Sequence, residues 1–157
     1  TIPDTRTGDW RMFLRRVADM GWHVHLVDRP ERYAETIALV EAAGAPLVID
    51  HMGDLRAPDD INQPGFKAIL AAVERGNTWV KVSGSFRFPT PEMGRAYGQQ
   101  ILSAGGTERV LWASDWPFSG VEGEVTYEQV LANYYDIVPD VAMRRAIDRT
   151  GLKFYFG

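Results

Sequence analysis

Three hydrophobic runs in this chain end in side chains whose chemistry suits hydrolysis. Val110–Ala113 reads as a short buried strand that runs into Asp115, held between Ser114 and Trp116-Pro117. Leu47–Asp50 is a second run, ending in Asp50-His51-Met52-Gly53. Thr78–Val82 is a third, followed by Ser83-Gly84 and, just beyond, Arg87. A carboxylate can activate water or hold a metal. An imidazole can ligate a metal or shuttle protons, and a guanidinium can clamp an anion through paired hydrogen bonds. A charge at the end of a buried strand is costly without a partner. Asp115 is therefore expected to be a site residue, with the earlier strands supplying its partners. The plainer alternatives are a turn cap at Asp115, a histidine that satisfies loop backbone at position 51, and a solvated arginine at position 87.

Two further features have ambiguous chemistry. His23-Val24-His25 places two rings on one face of a strand, which is one way to offer two nitrogens to a metal. The pair lies mid-strand rather than at a strand end, so lining of a substrate pocket by His25 is the preferred reading. Lys81 is also mid-strand, where burial demands a partner; Asp115 or an interior glutamate is expected, in a structural role.

The elements that must position these groups alternate strand and helix. After a loop over residues 1–8, Asp9 can cap a helix running to about Met20, with Trp10, Phe13, Leu14 and Val17 on one face. Trp22–Val27 is a strand, and Asp28-Arg29-Pro30 turns the chain. A helix from about Glu31 to Ala43 follows, with Tyr33, Ala34, Ile37 and Val40 on one side. The segment DLRAPDDINQPG has loop chemistry. Helices are expected at Phe66–Arg75, Glu92–Ala104 (weakened by Gly94 and Gly98), Tyr127 to about Tyr135, and Pro139–Arg149. The aromatics of the last residues, GLKFYFG, should pack. Strand starts near 22, 46, 78 and 109 are separated by 24, 32 and 31 residues. A βαβ unit takes about 30 residues, so the spacing predicts an α/β fold with a parallel sheet. In such sheets ligands bind at the carboxyl ends of the strands.

Composition narrows the classes. The 157 residues form a single expected domain, 1–157, and 45% hydrophobic with 24% charged residues is ordinary for a globular protein. A net charge of -4 gives no electrostatic footprint for nucleic acid or an anionic membrane. No run reaches the roughly 18 apolar residues of a membrane span. The lack of cysteine excludes disulfides and thiolate metal sites and fits a cytoplasmic location.

VIDHMG at 48–53, WVKVSGSFR at 79–87 and RVLWASDWP at 109–117, preceded by GWHVHL at 21–26, resemble the amidohydrolase-related metal-dependent hydrolases, most of all the 2-pyrone-4,6-dicarboxylate lactonase-like members. The resemblance implies a distorted TIM (β/α)8 barrel and hydrolysis of a lactone or similar cyclic ester that carries carboxylate. It implies that His51 is a site histidine, that Asp115 ligates metal or deprotonates the attacking water, and that Arg87 binds substrate carboxylate. Lactonases of this kind often carry an arginine soon after DHMG; here Asp54 intervenes, and Arg56 two positions later is the candidate for that substrate contact. The family's cofactor is a divalent metal, zinc above others, which His51 and Asp115 would ligate; some lactonases work without one. The alternatives within the fold are a metal-dependent decarboxylase or hydratase. A full barrel needs about 250 residues, and only four βα units are legible here. The chain begins at Thr1 and the family's first-strand His-x-His pair has no counterpart. The expectation is a C-terminal half-barrel that is inactive alone and needs its N-terminal half as partner.

Overall fold

The computed structural model describes residues 8–56 and 60–157. Residues 1–7 and 57–59, within the two expected loops, lie outside the described residues. Among the described residues ten helices and strands follow in order, α1 (Gly8–Asp19), β1 (Val24–Leu26), α2 (Tyr33–Ala43), β2 (Leu47–Ile49), α3 (Pro64–Arg75), β3 (Thr78–Val82), α4 (Pro91–Gly105), β4 (Val110–Trp112), α5 (Tyr127–Ile137) and α6 (Val141–Phe156), with short 3-10 turns at Pro30–Arg32, Asp50–Gly53, Asp60–Asn62 and Ser85–Arg87. The strands form one sheet in the order β1-β2-β3-β4, every pair parallel. Right-handed crossovers through helices are the only short way to join parallel neighbours, so the sequence's regular alternation becomes this sheet.

The period of two along each strand divides the side chains between two faces. Leu47 and Ile49, Val80 and Val82, and Val110 point into the main core with Tyr33, Ile37 and Val40 of α2, Phe66, Ile69 and Val73 of α3, and Tyr97 and Ile101 of α4. His25 and Lys81 alternate with core-facing neighbours and therefore occupy the opposite face. Phe154 of α6 reaches that face, with ring centroids 4.9 Å from His23 and 4.7 Å from Trp79. Among the described residues no helix is long and apolar enough to cross a membrane.

Several boundaries depart from the sequence expectation for identifiable reasons. The last helix starts at Val141, because Asp140 caps it by accepting from the amides of Ala142 and Met143 at 2.6 and 3.2 Å. It then runs through Gly151 to Phe156, where the sequence suggests an end at Arg149. Packing of its terminal aromatics and a 2.8 Å hydrogen bond from Thr150 Oγ1 to the Thr107 carbonyl override the low helix propensity of glycine. Phe13 is exposed rather than buried with Leu14 and Val17. In α2 the buried set is Tyr33, Thr36, Ile37 and Val40, and Ala34 faces solvent.

Gly98 of α4 is a packing requirement. A Cβ on Gly98 would stand 2.5 Å from Ile137 Cγ2 of α5. Gly98→Ala is therefore expected to destabilise the fold by about 1–3 kcal/mol, despite the roughly 1 kcal/mol that alanine gains in an exposed helix. In an Ile137→Ala background the same change should be neutral or stabilising. Urea unfolding of the four variants in a double-mutant cycle measures this, and additive costs would refute the steric account.

Candidate active site

The carboxyl ends of β2, β3 and β4 carry the candidate groups, and each is set by unusual backbone. After Ile49 the chain enters a 3-10 turn in which His51, Met52, Gly53 and Asp54 all have left-handed φ, at 53°, 54°, 88° and 49°. Non-glycine residues rarely adopt this conformation, and it persists only where the surroundings over-determine it. Here Met52 and Leu55 are fully buried on either side of the turn. The Asp54 amide donates to the His51 carbonyl at 2.8 Å. The buried Tyr33 hydroxyl donates to the Gly53 carbonyl at 2.8 Å and accepts from the Asp28 amide at 3.2 Å. One phenol thus ties the exit of β1 to the exit of β2, and the anchored turn projects His51.

Beyond β3, Ser83 is nearly buried and places its Oγ 3.0 Å from His51 Nδ1. Gly84 has φ 62°, and a Cβ there would stand 3.1 Å from His51 Nδ1, so glycine both makes the turn and clears space for the ring. Arg87 closes the following 3-10 turn. Beyond β4, Asp115 also has a left-handed φ, 64°, which Asp tolerates better than most residues. Its carbonyl accepts from the Phe118 amide at 2.9 Å, and Ser114 Oγ accepts from the Trp116 amide at 3.2 Å.

These turns bring three of the expected residues together. Arg87 Nε donates to Asp115 Oδ2 at 2.7 Å, and Arg87 Nη2 donates to the Ser119 carbonyl at 3.4 Å. His51 Nε2 lies 3.5 Å from Asp115 Oδ1. A carboxylate only accepts hydrogen bonds, so the His51 nitrogen that faces it is the N–H. In the neutral ring Nδ1 is then the acceptor, and Ser83 donates to it; this tautomer is inferred from the network. One carboxylate oxygen is thus held by a guanidinium, and the other faces an imidazole across a gap too long for a strong hydrogen bond. Such an arrangement can orient water and stabilise a developing oxyanion.

Sequence and structure comparisons fit this geometry. The amidohydrolase family matches residues 1–150. The chain belongs to that family. Over 142 residues this amidohydrolase chain is 27% identical to the 4-sulfomuconolactone hydrolase of Rhizobium radiobacter, covering 82% of the chain and 45% of the relative. The chain thus spans about half the length of that relative. It superposes with a TM-score of 0.84 and 32% identity on a solved Pseudomonas putida protein described as a 2-pyrone-4,6-dicarboxylic acid hydrolase, over 100% of this chain and 61% of that one. A similarly described protein of Acinetobacter baumannii, solved with citric acid bound, gives 0.86 and 27%, over 98% and 59%. The fold is also that of a Burkholderia multivorans amidohydrolase with bound zinc, at 17% identity and a TM-score of 0.80 over 94% and 57%. The four βα units therefore stand as half of an amidohydrolase barrel.

The other expected site residues are placed differently. Arg56 of this amidohydrolase turns back on Asp54, with Nε and Nη2 donating to the two carboxylate oxygens at 2.9 and 2.8 Å. Lys81 pairs with neither Asp115 nor a glutamate. Its Nζ lies 2.9 Å from Asp50 Oδ1 and 3.2 Å from His25 Nδ1, because Asp50 follows β2 directly and lies beside β3. His25 Nδ1 is in turn 3.3 Å from both Asp50 oxygens. Ser83 and Asp50 were not among the expected site residues. Their signal is positional: Asp50 is the last residue of its predicted strand, and Ser83 stands one residue beyond its own.

As to a metal, His51 and Asp115 offer two donors, and among the described residues no three His, Cys, Asp or Glu side chains converge on one point. Two donors do not complete the four-ligand shell that zinc prefers, so no chemical step below runs through a metal.

The Asp50 cluster makes acid stability testable. Burial opposes ionisation of Asp50, yet the hydrogen bonds from His25 and Lys81, together with their charges, outweigh it and hold the carboxyl below its ordinary value. A carboxyl so depressed adds stability above its unfolded-state value, and that stability is lost as pH falls through the folded-state value. Denaturant unfolding from neutral to strongly acid pH should show this loss. Asp50→Asn should be less stable at pH 7 by about 1–3 kcal/mol, with the gap closing in acid. A gap independent of pH would contradict the assignment.

Proposed function

We propose that this chain supplies the His51–Asp115–Arg87 part of the catalytic mouth of a hydrolase that opens a lactone, or a similar cyclic ester, bearing a carboxylate. The observation that carries the reading is the placement of one carboxylate, Asp115, between a guanidinium at 2.7 Å and an imidazole at 3.5 Å. The relatives named as lactone hydrolases support the substrate class.

In this reading Asp115 Oδ1 takes a proton from water as the oxygen attacks the lactone carbonyl. The Nε2–H of His51 donates to the oxyanion of the tetrahedral intermediate. Collapse of that intermediate breaks the ring C–O bond, and the proton passes to the leaving alkoxide. Arg87 fixes Asp115 through Nε and turns its remaining N–H donors towards the substrate carboxylate. Ser83 keeps the His51 ring in the tautomer this role requires. His25, half a strand below, lines the deeper pocket, and Arg56 would bind an anion only by leaving Asp54. Zinc, where used, would take Asp115 and His51 as ligands, the ring then giving up its Nε2 proton, and would complete its shell from groups outside the described residues. The remaining barrel strands, in the same polypeptide or a partner, would close the pocket, and the four units alone would not turn over substrate.

Lactone opening by a protein with the full set of strands, followed by pH-stat, tests the reading. Asp115→Asn should lower kcat by about a hundredfold or more. Arg87→Lys should raise KM for carboxylated lactones well above its effect on uncharged ones. Equal rates for wild type and Asp115→Asn would remove the base from the mechanism. Release of carbon dioxide from carboxylate substrates would instead favour a decarboxylase.

A further inference from the structure

Asp50 and His51 are consecutive, and the side chain of each is tied to the same stretch of chain, β3 and its exit. The register sets Ile49 against Val80. The next step along these parallel strands brings Asp50 beside Lys81, on the sheet face turned away from α2, α3 and α4. There Lys81 Nζ donates to Asp50 Oδ1 at 2.9 Å, with both side chains 19% exposed. Two residues beyond Lys81, Ser83 Oγ lies 3.0 Å from His51 Nδ1. The turn after β2 is thus attached to β3 at two points, one on each side of the peptide bond between Asp50 and His51. A single attachment lets a side chain pivot, whereas two fix both its position and its direction.

Stability alone does not account for the ionic member of this pair of attachments. Barrel interiors are filled mostly by branched apolar side chains, and apolar groups of similar size in place of a buried ion pair are often neutral or stabilising. What the ion pair adds is placement. Ile49 still has extended backbone, at φ -87° and ψ 117°, and the left-handed backbone begins at His51, φ 53°. Asp50 is therefore the joint between the strand and the strained turn. Downstream, the turn is held by the Asp54 amide on the His51 carbonyl and by the Tyr33 hydroxyl on the Gly53 carbonyl. Upstream, the side-chain anchor is Lys81, whose ammonium also reaches His25 Nδ1 at 3.2 Å. Between the two anchors the His51 ring is carried to Asp115, with Nε2 3.5 Å from Oδ1.

We propose that Lys81 is a positioning residue: through Asp50 it holds the turn after β2 so that the His51 ring meets Asp115. Lys81 acts on His51 and on no reacting atom. The kinetic consequence rests on the hydrolase reading, while the placement of the ring does not. A purely structural ion pair would contribute to folding and leave the His51 ring where it is.

The test has two arms. The first uses the full 157-residue chain and no substrate, and reads the 15N shifts of the His51 ring, which report the tautomer. The wild type should hold one tautomer. The double variant Lys81→Met/Asp50→Asn removes both charges, so no unpaired ion remains, and should divide the ring between the two tautomers. Lys81→Arg keeps the cation and its donors and should restore the single tautomer. Thermal unfolding confirms that each variant is folded, and Lys81→Gln carries the same comparison should the double variant not fold. The second arm follows lactone opening by a protein with the full set of strands. The double variant should lower kcat about tenfold to a hundredfold with KM within about twofold, and Lys81→Arg should recover most of the loss. A folded double variant with the wild-type ring shifts overturns the proposal, whatever its loss of stability. So does a wild-type ring already divided between tautomers, or an unchanged kcat in the double variant. If the wild type opens no lactone, the hydrolase reading fails, and the ring shifts decide on Lys81 by themselves.

Discussion

A carboxylate at the end of a buried strand cannot stand alone, and the pairing of Asp115 with Arg87 is the constraint on which the mouth of this half-barrel depends. A carboxylate at 15% side-chain exposure is costly without opposite charge and hydrogen bonds. The guanidinium at 2.7 Å provides both. For that contact to form, β3 and β4 must be adjacent and parallel, in the register that sets Val82 against Trp112, so that the loops leaving them emerge side by side. The left-handed turn at His51 brings the third group in. Its strain is held by the buried Met52 and Leu55 and by the Tyr33 hydroxyl.

One layer below the mouth, the same logic is repeated with different charges. Lys81 projects from the middle of β3, where an ammonium without a partner would be costly, and Asp50 answers it from the end of β2. His25 completes the group from β1. Three neighbouring strands are thus cross-linked by polar contacts on one face while aliphatic side chains fill the other. Because Asp50 immediately precedes His51, the clamp on Asp50 also steadies the start of the strained turn. The two polar layers are mechanically joined through a single peptide bond.

Much of this was legible in the residues. The strand–helix alternation, the four runs and their order survive in the structure, since a spacing of about 30 residues leaves a parallel sheet as the simple outcome. His51, Arg87 and Asp115 were identifiable because each follows a hydrophobic run within a few residues. Where the reading fell short, partners competed at short range. Arg56 was a candidate for substrate because the resemblance places an arginine soon after DHMG, but Asp54, two residues away, occupies its guanidinium. Lys81 needed a carboxylate, and the nearest in space was Asp50, whose position depends on which strands are neighbours. The last helix outruns its expected end because aromatic packing on another element outweighs the local cost of Gly151.

The sequence by itself determined the fold class, the family and the three groups at the strand ends, because periodicity and strand-end position are properties of the chain's own order. Only the tertiary structure decided which charge pairs with which, that Ser83 stands behind His51, and that His23 and His25 bring two ring nitrogens to 3.0 Å. Those outcomes depend on distances of a few ångströms between residues far apart in the chain. Such distances follow from strand register, left-handed turns and packing, which no local pattern of residue types encodes.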